Sequence, residues 1–128
     1  MGINKRGLKW HPEASSDLTS ITRYCNLKFG RKVAKEVRDK IVKDVELLPA
    51  YPKLGSIERL LIGCTSLEYR SLLSGKQTKI IYSIHDDYVY IHLLWDVRQD
   101  ESRLSGKVVQ RYPFSDDMAK NVVNEPIV

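Results

Sequence analysis

The stretch RSLLSGKQTKIIYSIHDDYVYIHLLWD, residues 70–96, decides the fold. Its middle, Thr78 to Ile84, alternates Thr78, Ile80, Tyr82 and Ile84 with Lys79, Ile81 and Ser83. A period of two is the signature of a strand with one face buried. Ahead of the Ser74-Gly75 turn, Leu67, Tyr69, Ser71 and Leu73 alternate with Glu68, Arg70 and Leu72. Beyond His85-Asp86-Asp87, strict alternation places Val89, Ile91, Leu93 and Trp95 on one side and Tyr88, Tyr90, His92 and Leu94 on the other. Three such runs joined by short polar turns predict an antiparallel meander.

Working back from the meander, residues 58–64 show no clear period, and Tyr51 to Gly55 reads as a loop. Two helices precede it. His11-Pro12-Glu13 is a start signal, because proline suits the first helical position and glutamate the positive end of the dipole. Ala14, Leu18, Ile21 and Cys25 then form one apolar stripe. Gly30 ends that helix. A second stripe, Ala34, Val37, Ile41, Val45 and Leu48, runs up to Pro49 and Pro52. Leu8 to Trp10 reads as an edge strand. The expected fold is α+β in the order β-α-α-β-β-β: a two-helix antiparallel hairpin packed on one face of a mainly antiparallel sheet. The other face is expected to stay partly polar. One domain over residues 1–104 accounts for this pattern. Residues 105–128 read as a weakly patterned extension, dispensable for folding, with a short strand at Gly106 to Gln110 and a mobile end from residue 115.

The chain has 128 residues, 42% hydrophobic and 29% charged, within the range of a folded globular domain. No run of apolar residues is long enough to span a membrane, and MGINKRGLKW lacks the apolar core of a secretory signal. Cys25 and Cys64 lie far apart without metal-ligand spacing. A reducing, cytoplasmic setting is the expectation. The net charge is +5, a bias toward polyanions or acidic proteins. Residues 1–50 carry the excess, with Lys28, Arg31, Lys32, Lys35, Arg38, Lys40 and Lys43 on the two helices. The ordinary role of such residues is a solvated helix back.

Chemistry is sparse. Gly55, Gly63 and Gly75 stand alone, so there is no phosphate loop, and His11, His85 and His92 occupy three separate contexts without zinc spacing. No acidic cluster is visible for magnesium. No cofactor and no metal are expected. What remains is a set of cations on the long strands: Arg70, Lys79 and His92, read in the register that faces away from the helices, and Arg98, just past the last strand. Neighbouring strands lie about 4.8 Å apart, so such side chains can converge on one phosphate. RNA cleavage by 2′-hydroxyl attack needs a base, an acid and cations of this kind, and arginine's fork suits phosphate. Each also has an ordinary role. Arg70 can pair with Glu68 or Asp96, Lys79 can be a solvated edge residue, and a mid-strand histidine is more often packing than catalytic.

In sequence order, three fragments resemble the RelE/ParE toxins of bacterial type II toxin–antitoxin systems. The first is LKWHPEASSDLTSITRYC, with Ala14, Asp17 and Leu18 in an Ala-x-x-Asp-Leu pattern. The second is LLPAYPKLG. The third is YRSLLSGKQTKIIYSIHDDYVYIHLLWDVRQD, with Arg70, Ile80-Ile81-Tyr82 and Arg98-Gln99-Asp100. The resemblance covers residues 7–104. It implies the same β-α-α-β-β-β order and an antitoxin partner that wraps the chain with a helix and a strand. RelE-like members cleave messenger RNA on the ribosome without metal, whereas ParE-like members inhibit DNA gyrase. By this resemblance Lys79 takes the place of a strand arginine of the RelE pattern, and Arg98 that of the arginine after the last strand. Leu104 stands where that pattern has its tyrosine, and Tyr112 is a later phenol. The helical region and the Arg-x-Asp ending look more like the ParE branch. The implied function is growth arrest through the ribosome or gyrase. The alternative is a non-catalytic module that binds an antitoxin or nucleic acid. Lys79 and Arg98 are expected to meet at one edge of the sheet.

Overall fold

A computed structural model describes residues 6–112 of the chain. The expected mobility from residue 115 onward lies outside the described residues. Strand β1 (Gly7–Trp10) leads into helices α1 (Pro12–Phe29) and α2 (Arg31–Leu47). Four strands follow: β2 (Ser56–Ile57), β3 (Arg70–Ser74), β4 (Thr78–Ile84) and β5 (Tyr88–Asp96). Helix α3 (Leu104–Arg111) closes the described chain. The sheet order is β1-β5-β4-β3-β2. β1 runs parallel to β5 and every other pairing is antiparallel. This is the expected α+β fold, with β1 at one edge.

The helix boundaries follow local chemistry. The His11 Nδ1 accepts the Glu13 amide at 3.0 Å, and Pro12 occupies the first helical position, where no amide is needed. Gly30, at φ 92°, both ends α1 and begins α2, a left-handed corner that disfavours any side chain. The corner turns the helices antiparallel. Ala14, Leu18, Ile41, Val45 and Leu48 then pack on Trp10, Ile80, Tyr82, Val89 and Ile91 to form the main core.

Strict alternation fails in β5. Ile81 pairs with Leu93 but Tyr82 pairs with Ile91, so His92 is an extra residue, a β-bulge. A one-residue slip sends every later side chain to the other face. Leu94 therefore joins the helix-side core. Leu93 and Trp95, expected alongside Val89 and Ile91, point the opposite way. The face away from the hairpin is consequently not left polar. There, Leu61, Tyr69, Ile81, Leu93 and Trp95 form a second core with Leu104 and Val108. The ambiguous stretch 58–64 contains a 3-10 turn, Arg59–Leu61, capped by the Glu58 carboxylate.

Gly106 to Gln110, expected as a short strand, lies within α3. Leu104, Val108 and Arg111 recur at helical spacing and are buried. Glycine at 106 and the pair Val108-Val109 weaken the local helix signal, and contact with the second core overrides it. The helix crosses the 104/105 boundary read from the sequence.

Candidate functional site

The four candidate cations occupy different places. Pairing with Tyr82 puts Arg70 on the helix-side face, while pairing with Trp95 puts Lys79 on the other. Lys79 and Arg98 therefore do not meet at one sheet edge: Arg98 follows Asp96, which pairs with Thr78 on the helix side. The bulge is the reason, because it reverses the faces of residues 93–96.

Each cation already has a partner. The Arg70 guanidinium donates twice to the Gly55 carbonyl, at 3.1 and 2.8 Å, with Glu68 at 3.9 Å. Lys79 Nζ sits 2.8 Å from Glu58 and 3.3 Å from Glu101. Burial works against both charges of the Lys79–Glu58 pair. It is the largest single influence on each, but their mutual hydrogen bond and attraction, joined by the Leu60 amide and Ser71 at the glutamate and by Glu101 at the lysine, together outweigh it, raising the lysine pKa and lowering that of the carboxyl, so both stay ionised. Arg98 forms a fork with Asp96, at 3.0 and 2.7 Å, and its guanidinium stands 5.2 Å over the Tyr24 ring of α1. That hydrogen bond pushes the arginine further up and holds the Asp96 carboxyl below its ordinary range. Arg98 remains the most solvent-accessible of the four, with 44% of its side chain exposed.

His92 is buried in the bulge. Its Nε2 lies 2.7 Å from the Ser83 hydroxyl, which lies equally close to His85 Nε2. The ring packs edge-on against Tyr69 and Tyr90. Desolvation drives its pKa well below the ordinary histidine value, with the charges of His85, His11 and Arg111 acting the same way. His11 is also lowered, first by burial and then by Arg111. Both rings take up a proton more readily when the chain is unfolded. Their stabilisation is complete above pH 6.5, roughly the unfolded value, and is lost as pH falls below it. Urea unfolding midpoints should therefore drop between about pH 6.5 and 5, with His92 contributing a slope approaching 1.4 kcal/mol per pH unit and His11 a smaller one. The variant His92→Gln should flatten that slope, and an unchanged slope would rule His92 out as its source.

Leu104 is fully buried in the second core, so the position of the RelE-pattern tyrosine is a packing position here. The Tyr112 hydroxyl lies 2.7 Å from the Ser66 hydroxyl.

One open concavity adjoins these residues. It is a groove of 960 Å³ between the helical hairpin and the β3–β4 turn. Tyr24, Phe29, Val33 and Val37 line the helical side, while Gly75 to Thr78, Asp96 and Arg98 line the sheet side. Tyr24 and Phe29 are 40% and 55% exposed and both line the groove, which makes it an exposed apolar patch. The groove was not legible in the sequence. Its aromatics lie on α1 and its cation beyond β5, and only the chain's packing brings them together.

A two-helix hairpin on a bulged five-stranded sheet, with an apolar groove ending at Arg98, can be compared with known proteins. The family model described as "ParE toxin of type II toxin-antitoxin system, parDE" matches residues 8–101. The chain belongs to the ParE toxin family. Among solved structures, it is similar to the chromosomal ParDE toxin–antitoxin system from P. aeruginosa, with a TM-score of 0.61 and 19% identity. That match covers 73% of this chain and 97% of the other. No curated protein sequence matches. As a ParE family member, the chain has an antitoxin as its expected counterpart. No helix among the described residues is long and apolar enough to cross a membrane.

Proposed function

We propose that this ParE-family chain arrests growth by binding DNA gyrase, not by cutting messenger RNA, and that an antitoxin helix neutralises it by filling the groove. The observation that carries the first part is the dispersal of the RelE-type groups. Lys79 is held between two carboxylates on one face. Arg98 stands on the other face, His92 is buried, and the tyrosine position is a core leucine. An acid, a base and a phosphate clamp need a common focus within hydrogen-bond reach, and these side chains have none. A surface that binds a protein target needs no such focus. The apolar lining of the groove and its exposed rings support the second part, since an amphipathic helix recognises such a trough through its apolar face.

Arg98 is the residue proposed to carry target contact, by its exposure and its place at the groove's mouth. Arg98→Ala should leave the thermal unfolding midpoint within a few degrees of the parent, because exposed ion pairs contribute little. It should also abolish growth arrest on induction in a bacterial host. In the same cultures the unmodified chain should reduce gyrase supercoiling and leave mRNA 5′ ends unchanged. Cuts inside translated codons would overturn the gyrase reading and point to ribosome-dependent cleavage. Arrest that survives Arg98→Ala would remove Arg98 from the contact surface.

A further inference from the structure

Residues 18–35 contain five cations, Arg23, Lys28, Arg31, Lys32 and Lys35, and no carboxylate. They cover the end of α1, the Gly30 corner and the start of α2, the tip of the helical hairpin. All five are exposed. Lys35 is paired with Asp39 at 2.7 Å. Among the described residues, Arg23, Lys28, Arg31 and Lys32 have no carboxylate within ion-pair distance. On α2 the helical period of 3.6 residues turns Arg31 and Lys35 away from Val33, Val37 and Ile41, which line the groove. Arg31 and Lys35 thus face away from the groove, although Tyr24, Phe29 and Val33 of the same segment line it.

The arrangement opposes helix stability. Arg31 and Lys32 stand in the first turn of α2, at the positive end of its dipole, with no acidic residue in that turn and no side-chain cap. A solvated helix back explains exposure but not this concentration of like charge at the wrong end. We infer that the hairpin tip, through Arg23, Lys28, Arg31 and Lys32, contacts the phosphate backbone of duplex DNA without reading its bases. Flexible cations without defined geometric partners suit a uniform line of phosphates. A peptide partner would call for a continuous apolar seam among the charges. On α2 the seam lies on the groove side, and of the exposed apolar residues beside Lys28 on α1, Phe29 belongs to the groove and Leu27 stands alone. The choice of DNA over RNA rests on the gyrase reading, since that target itself works on DNA.

The test uses the purified full chain and a short mixed-sequence DNA duplex, followed by fluorescence anisotropy across a salt series. Four phosphate contacts predict a slope of log K against log salt of about −3.6, at about −0.9 per contact. Between roughly 50 and 200 mM salt this is about a 150-fold loss of affinity. The double substitution Arg31→Glu, Lys32→Glu should reduce the slope by about 2 and weaken binding at low salt more than tenfold. It should also raise the thermal midpoint, because carboxylates suit that helix end. A purely structural role for these cations predicts the reverse, a lowered midpoint. Arg98→Ala should leave DNA binding unchanged. A shallow slope, a double variant that binds like the parent, or a preference for an RNA duplex or poly-glutamate would each overturn the inference. Gyrase is absent from this assay, so its failure leaves the supercoiling result standing, and the converse holds too.

Discussion

Arg111→Ala is expected to lower the unfolding free energy by about 3–5 kcal/mol, the range for breaking a buried ion pair from one side. Arg111 has 4% of its side chain exposed, and its guanidinium meets Asp17 of α1 through two bonds, at 2.7 and 3.0 Å. The same guanidinium donates to the His92 carbonyl at 2.9 Å, while the Asp17 carboxylate accepts the Leu94 amide at 3.0 Å. These are backbone groups at the β5 bulge, where ladder pairing is interrupted. The ion pair supplies the partners that the missing ladder bonds would have provided, and joins α1, β5 and α3 at one point. Removing arginine leaves a largely buried carboxylate and an orphaned carbonyl. Urea unfolding by far-UV circular dichroism would measure the loss, and a loss below about 1 kcal/mol would show that the pair is not what holds the bulge. The double variant Asp17→Leu, Arg111→Met should recover much of the loss in the ion pair itself, as apolar replacements of buried pairs often do. A chain ending at Leu104 should behave like Arg111→Ala or worse, since it also removes Val108 from the second core. One ending at Tyr112 should retain the parent midpoint. The folding unit proposed on this basis extends through α3.

Gly55→Ala is the second large effect expected, at about 3 kcal/mol, the upper range for overpacking a close contact. Gly55 lies at the crossing of three interactions. Its amide donates to the Tyr82 hydroxyl at 2.9 Å, and that hydroxyl donates to the Pro52 carbonyl at 2.7 Å. Its own carbonyl takes both Arg70 bonds. A methyl group there would overlap the Ser71 carbonyl oxygen of β3 and crowd the Tyr82 hydroxyl, so the loop must move off the sheet. Backbone on one side and a fully buried tyrosine on the other leave little room for relaxation. Tyr82→Phe should cost less, about 1–2 kcal/mol, because it removes hydrogen bonds without adding volume. If Gly55→Ala unfolds at the parent urea concentration, the loop is free to shift and the close packing is not limiting.

Much of the architecture was legible because it depends on short-range periodicity. The stripes of α1 and α2, the alternation of β4, the Pro12 start and the Gly30 corner each depend on neighbours within a few residues. All stand where expected. The candidate site was less legible for a specific reason. Assigning a strand residue to a face assumes unbroken alternation, and one extra residue at His92 invalidates every assignment after it. Unbroken alternation places Leu93 and Trp95 on the wrong face, and the neighbouring-strand argument that brings Arg98 to Lys79 takes no account of the slip. Arg70 was read with Lys79 on the face away from the helices, although neighbouring-strand pairing places it with Tyr82 on the helix side. Helix α3 was missed because its stabilisation comes from Leu104 and Val108 meeting a core formed by distant residues.

The sequence by itself determined the order of the elements, the hairpin of helices, the meander and the concentration of positive charge near Gly30, since local sterics and hydrophobic period act along the chain. Only the tertiary structure decided which cations share a face, that Lys79 is neutralised by Glu58 and Glu101, and that Tyr24 and Arg98 border one groove. They depend on strand pairing, on carboxylates brought in by distant loops and, for Arg98, on the bulge, whose backbone is satisfied by groups 77 residues away in α1 and 19 away in α3.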